Sequence, residues 1–228
     1  MTEQPEQLSL RFGLRPEFTF ANFELGDSAE AVQRLSELPR QVGFVGLWLW
    51  GGNAVGKTHL LHATCQVHGG RVGYLPLADI DSAQALAAQE PLDLLALDDV
   101  HSWFADAARE RALQAVYQAQ VNHGGKLLIT SRLAPSAGTA QLPDLVSRLR
   151  SLSCYELLAL SDSAKERLLM ARAKERGLLI AQDVTRFWLA RGDRNLGSLL
   201  AQLHTLCEVA LAEQRRITIP LLKRVLRF

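Results

Sequence analysis

Residues 51–58 read GGNAVGKT, which matches the pattern GxxxxGK[ST] through Gly51, Gly56, Lys57 and Thr58. Few stretches constrain a fold more. The pattern works only where a buried strand runs into a loop and the loop into a helix. The loop's N–H groups must turn inward around phosphate oxygens, and the helix N-terminus adds partial positive charge. The flanks supply that context: "GFVGLWLW" (43–50) is a short apolar run expected as a buried strand, and "KTHLLHATCQVH" (57–68) a helix closed by Gly69 and Gly70. Gly51, Gly52, Asn53, Ala54, Val55 and Gly56 are then the candidate phosphate cradle. Lys57 would reach the terminal phosphates, and the Thr58 hydroxyl would hold Mg²⁺. The expected cofactors are ADP or ATP with Mg²⁺.

A loop of this kind needs a carboxylate on a neighbouring strand. "LDLLALDDV" (92–100) is a buried run that ends in two of them. Asp98 emerges at the C-terminal end of that strand, where open α/β sheets bind ligands, and is the metal-side carboxylate. Asp99 is the candidate to orient or deprotonate an attacking water. Most mechanical ATPases carry the longer glutamate there, so aspartate predicts slow hydrolysis of the chain's own nucleotide. Further strands are expected at 71–77, 125–131 and 154–160, with helical segments at 78–89, 106–122 and 142–150 between them. Strands alternating with helices imply α/β architecture, a five-stranded parallel sheet covered on both faces.

After Leu160 the pattern is helix only. Ser163 with Glu166 has the spacing of a capping box, and Gly177 can end that helix in a left-handed turn. Asp183 and Asp193 can cap the next two helices, with Gly192 between them, and Thr218 followed by Pro220 can open a last one. The organisation read from the sequence is a flexible tail (1–17), a nucleotide-binding α/β domain (18–159) and an all-helical lid (160–228).

Composition bounds the remaining classes. The chain has 228 residues, 48% hydrophobic, with a formal net charge of +1, which suits a globular protein and argues against broad, non-specific nucleic-acid binding. Cys65, Cys154 and Cys207 form no CxxC pair and read as buried or inert thiols of a reducing compartment. Residues 1–17 hold no apolar signal core, and no apolar run approaches the roughly 18 residues a bilayer requires. A cytoplasmic protein without a membrane role is expected.

The phosphate loop, "LDDVH" and the appended helical segment resemble the AAA+ ATPases, and several stretches resemble the DnaA clade in particular. "FTFANFELGDS" is similar to that clade's aromatic opening, which implies that Phe20 and Phe23 pack around the nucleotide base. "LVSRL" (145–149) resembles its arginine-finger motif and implies that Arg148 meets the γ-phosphate of a neighbouring subunit's ATP; Arg150, two residues on, is the alternative. "GDRNLGSLLAQL" resembles its second sensor helix and implies that Arg194 contacts the phosphates of the chain's own nucleotide. Thr130 and Ser131 occupy the first-sensor region, where initiators typically continue with an acidic residue and this chain has Arg132. About 15 residues separate the second strand from the acidic strand, too few for the helical insertion initiators use on single-stranded DNA. No helix-turn-helix follows the lid, so direct sequence-specific DNA binding is not expected.

The tail carries "QLSLRF" (7–12), three apolar residues in a polar stretch. It resembles the QLxLxL/F peptide with which the Hda family of DnaA-like regulators docks on the bacterial sliding clamp. An extended peptide can place Leu10 and Phe12 in an apolar groove while Gln7 bonds backbone, with Leu8 as a further anchor. The resemblance implies a negative regulator of chromosome replication initiation. Its partners would be the ATP form of DnaA and the DNA polymerase III sliding clamp, with homo-oligomers possible, and it would promote hydrolysis in DnaA rather than turnover in its own site. A helicase-loading or transposition-helper ATPase shares the same strands and is the alternative; a clamp peptide is the feature it has no reason to carry.

Overall fold

A computed structural model describes residues 13–87, 89–137 and 140–227, so the "QLSLRF" peptide lies outside the described residues. The chain divides into two compact units between Leu158 and Ala159.

The first unit is built on five parallel strands among the described residues: β1 (Val45–Trp50), β2 (Val72–Pro76), β3 (Leu94–Asp98), β4 (Lys126–Ser131) and β5 (Ser153–Glu156). Their order across the sheet is β2-β3-β4-β1-β5. Helices α1 (Ala29–Glu37), α2 (Lys57–Val67), α3 (Ala83–Ala87), α4 (Ala107–His123) and α5 (Pro143–Arg150) alternate with the strands. The period-two pleat sorts the apolar side chains onto two faces. Leu47, Leu49, Leu94, Ala96 and Leu128 join Leu35, Leu60 and Leu61 in one buried cluster with α1 and α2. Trp48, Leu95, Leu97, Leu127 and Ile129 join Leu113, Val116 and Leu145 in the other, with α4 and α5. Asp98 shares the parity of Leu94 and Ala96, which directs its carboxylate to the α2 side.

The last strand is shorter than the sequence pattern suggests, Ser153–Glu156 rather than 154–160. Among the described residues β5 pairs with β1 alone, and β1 ends at Trp50, the partner of Glu156. One more bond, from Leu157 N to Trp50 O, closes the ladder, and the chain then leaves the sheet. Cys65 and Cys207 are buried, as expected, but Cys154 is exposed, because β5 is an edge strand with little covering it. Burial pushes the Cys65 thiol up to about 12, which keeps it protonated and inert.

The second unit holds α6 (Asp162–Glu175), α7 (Gln182–Arg191), α8 (Leu196–Ala212) and α9 (Ile219–Leu226) around its own core of Leu169, Trp188, Leu199, Leu203, Leu206 and Leu222. Gly177 follows α6 at φ +75°, and Thr218 caps α9 by accepting from Leu221 N, both as the sequence suggests. Other caps differ. Ser161, not Ser163, accepts at the start of α6, and Ser163 lies inside the helix. Asn195 rather than Asp193 caps α8; Asp193 instead accepts from Asn195 N at 2.9 Å and shapes the turn before it. Asp183 sits inside the first turn of α7, where its charge suits the helix dipole without capping it. Among the described residues no helix is long and apolar enough to cross a membrane.

Candidate nucleotide site

Residues 51–56 connect β1 to α2 as a tight loop whose backbone is left-handed at Gly51 (φ +147°), Ala54 (φ +57°) and Gly56 (φ +98°). Glycine is required at two of these positions for space as well as conformation. A Cβ on Gly51 would stand 2.3 Å from the Leu157 carbonyl oxygen, and one on Gly56 would stand 2.5 Å from the Phe23 ring. The loop therefore curls tightly at the α2 N-terminus, a conformation suited to phosphate oxygens. Asn53, Ala54 and Gly52 are exposed on its outer turn.

Lys57, the first residue of α2, is buried and turns its Nζ back over the loop, donating to Gly51 O at 2.9 Å and Gly52 O at 2.7 Å. Burial lowers its pKa, against the opposing pull of Asp99 and Asp98. Carbonyl oxygens only partly compensate a buried ammonium, so the group is set to accept an anion.

Thr58 Oγ1 donates to Asp98 Oδ2 at 2.7 Å, as the pairing of loop hydroxyl and strand carboxylate requires. Thr130 Oγ1, on the adjacent β4, donates to Asp98 Oδ1, and Tyr74 Oη, on β2, donates to Oδ2 at 3.0 Å. Mg²⁺ is usually held by one or two protein oxygens together with phosphates and water, and Thr58 with Asp98 fits that need. Such an ion would neutralise phosphate charge there.

Asp99 differs from its neighbour. It stands just past β3 in a left-handed conformation (φ 55°), which aspartate tolerates better than most residues, and its N–H donates to Thr130 Oγ1 at 2.9 Å. Its Oδ1 lies 3.7 Å from His101 Nδ1. Burial lowers the His101 pKa, partly countered by Asp99, so the ring is neutral near pH 7 and Asp99 faces an acceptor or donor rather than a fixed cation. Arg132, whose charge also acts on Lys57 and His101, stands at the same edge.

The aromatic opening is fastened to α2. Gln66 Nε2 donates to Arg15 O and Phe18 O at 2.7 and 2.8 Å, and the Phe18 ring stacks on His59 at 4.8 Å. Phe23 reaches the loop at Gly56, while Phe20, in a short 3-10 turn, packs against the α1–α2 cluster with it. Val55 joins the same cluster. Thus the loop, Lys57, Thr58, Asp98, Asp99 and Phe23 come together.

Two arginines of the first unit, both on α5, have other neighbours. Arg148, half-buried on α5, is bonded to Gln118 Oε1 and lies 5.6 Å over the Tyr117 ring, both on α4; Arg150 is exposed. Arg194 belongs to the helical unit, where it is 3.6 Å from Asp162 and largely exposed. The sequence reading does not foresee Tyr74, His101 or Glu110. Glu110 is fully buried and accepts N–H bonds from Ala105, Gln141 and Leu142, which fixes the approach to α5.

Known structures share this architecture. Domain III of the replication initiation protein DnaA from Thermotoga maritima matches with a TM-score of 0.80 at 19% identity, covering 95% of this chain and 98% of that one. DnaA from Aquifex aeolicus, bound to AMPPCP, matches at 0.73 and 20% identity over 90% of this chain and 70% of that one. The RuvB Holliday junction branch migration motor of Thermotoga maritima matches at 0.66 and 17% identity, over 87% and 68%. These likenesses establish the fold. Residues 162–226 match the family model described as Hda, lid domain. The chain thus has the fold of DnaA domain III, and its C-terminal unit matches the Hda lid domain model.

Proposed function

We propose that this protein is a negative regulator of replication initiation, tethered to the DNA-loaded sliding clamp, which stimulates hydrolysis of the ATP bound to DnaA. One observation carries the reading: an Hda lid domain on a DnaA-type AAA+ fold. On this reading the chain's own site binds ADP or ATP through the 51–56 loop and Lys57, with Mg²⁺ held at Thr58 and Asp98. The nucleotide is structural, since Asp99 is short for a water-activating residue and supports at most slow turnover. Arg194 serves that same nucleotide from the lid.

Arg148 acts on DnaA. Among the described residues its polar contacts are with neutral groups, Gln118 and the face of Tyr117, so its charge is positioned but not compensated. A guanidinium held this way suits the γ-phosphate of another molecule, where it neutralises charge that develops in the transition state. Gln7, Leu8, Leu10 and Phe12 dock on the clamp and raise the local concentration of the protein beside its target. The compartment is the cytoplasm, where DnaA and the clamp act.

The test combines the protein with DnaA–ATP, clamp and DNA and follows ADP release. Stimulated hydrolysis that requires the clamp, falls with Arg148→Ala, and falls to the clamp-free level when Gln7, Leu10 and Phe12 become Ala supports the proposal. No stimulation, with ATP consumed instead by the protein alone in the presence of single-stranded DNA, would point to a helicase-loader type of activity.

A further inference from the structure

Three hydroxyls converge on Asp98: Thr58 and Tyr74 both donate to Oδ2, and Thr130 donates to Oδ1. Thr58 and Thr130 stand where the loop and the end of β4 put them. Tyr74 reaches the same carboxylate from elsewhere. It lies on the edge strand β2, opposite Ala96 in the register with β3, and its half-buried ring is 4.2 Å from that of His62 on α2.

The arrangement has a directional consequence. An ionised carboxylate offers about four lone-pair sites, two on each oxygen. Thr58 and Tyr74 use those of Oδ2, while Thr130 is the donor on Oδ1 among the described residues. Two donors on one oxygen, approaching from α2 and from β2, fix the rotation of the carboxylate about its Cβ–Cγ bond. Thr58 spends its proton on Asp98, so the lone pairs of its own oxygen remain for another partner.

We propose that Tyr74 is a positioning residue for the metal-side carboxylate: its hydroxyl sets the orientation in which Asp98 meets a Mg²⁺–nucleotide. The inference rests on the nucleotide-binding reading of the site. Burial, and then the charge of Asp98, push the Tyr74 phenol far above its ordinary value, so it is a donor at every physiological pH. The ring packed on His62 and the hydroxyl bonded to Asp98 are separable parts of one side chain, and Tyr74→Phe removes only the second.

The experiment measures the affinity of the full chain for a fluorescent ADP analogue, in Mg²⁺ and in EDTA, for the wild type and Tyr74→Phe. Partners that orient metal-binding groups typically change metal affinity by 10–100-fold when lost, and the lower end applies to a single neutral hydroxyl. The expected result is that Tyr74→Phe reduces the Mg²⁺-dependent gain in affinity roughly tenfold and leaves the affinity in EDTA within about twofold. A gain equal to that of the wild type overturns the inference. So does an equal loss in both buffers, which marks Tyr74 as structural. Failure of the underlying reading is seen in the wild type alone, as no binding or as binding indifferent to Mg²⁺.

Discussion

The phosphate loop and the α5 turn each present cationic side chains, but on different plans. Lys57 is buried, bonded to two carbonyls of its own loop, and set against a carboxylate that three other residues hold in place. Arg148 is half-buried against a glutamine and an aromatic face, and Arg150 is exposed. A site for the chain's own ligand can be completed internally, because burial strengthens each bond and the backbone supplies the geometry. A residue meant for a partner's ligand must stay reachable, so it is oriented by neutral contacts and left without a counter-ion. On the proposed function, the difference suits the two regions to different jobs within the first unit.

The largest effect expected breaks this contrast most directly. Replacing Arg148 by Ala should lower the stimulated hydrolysis of DnaA-bound ATP on the order of 10³-fold, or to the unstimulated level, while nucleotide binding at the chain's own site is unchanged. Arg150→Ala should cost less than about tenfold, since exposed charges contribute little to a fixed geometry. If Arg150→Ala is the more damaging in the same assay, the finger belongs to the exposed arginine and the argument from neutral anchoring fails.

Next in size is the loop itself. Lys57→Ala removes a charge-assisted contact to phosphate, worth about 1.5–3 kcal/mol, which corresponds to roughly a ten- to hundredfold loss of nucleotide affinity by titration. The variant takes a donor from Gly51 O and Gly52 O, but Gly52 is exposed and water can replace the ammonium there, so the fold should survive, and circular dichroism of the variant checks it. Unaltered affinity would place the nucleotide elsewhere.

How much of this was legible in the sequence follows from what each feature depends on. The loop and the acidic strand are local: six loop residues and a buried run declare themselves by spacing, and the structure brings Thr58 and Asp98 together as that spacing requires. Parity along β3 even settles which face Asp98 joins. Caps are less legible, because Ser161 and Ser163, or Asp193 and Asn195, are chemically able to cap and only the chain's exit angle chooses between them. Tyr74 was not legible at all. Its hydroxyl acts on a residue 24 positions later, through a strand pairing that no local pattern encodes. The same holds for Glu110, whose N–H donors at Gln141 and Leu142 lie 31 and 32 positions away.

Glu110 sharpens the comparison because it anchors the segment before α5 without touching the phosphate loop. Its carboxylate takes N–H bonds of 2.8–2.9 Å from Ala105, Gln141 and Leu142 while fully buried. Glu110→Ala leaves those donors unsatisfied, at a cost of about 2–3 kcal/mol in denaturant unfolding. Nucleotide affinity should stay within about twofold of wild type, whereas stimulation of DnaA should fall because α5 loses its support. Parallel losses of affinity and stimulation would mean the two regions are one mechanical unit.

The smallest expected effect is a pH dependence that separates the two regions by stability. His62 is buried beneath the opening segment, where it accepts from Arg15 N at 3.4 Å and packs on Tyr74; burial lowers its pKa from 6.5, and His101 beside Asp99 is lowered for the same first reason. A group whose folded pKa is depressed binds its proton more readily in the unfolded chain. Stability therefore rises with pH between the folded value and 6.5, is fully present above 6.5, and is lost as the pH falls below it. The shifted carboxylates Asp93 and Asp106 are lowered from 3.8 and titrate beneath that window, so unfolding between about pH 5 and 7 isolates the histidines. His62→Gln should flatten the curve by up to one proton's worth of slope, and His101→Gln should do the same. α5 carries no histidine, so Arg148→Ala should leave the slope as it is. If the slope persists without both rings, the buried histidines of the phosphate region are not its source.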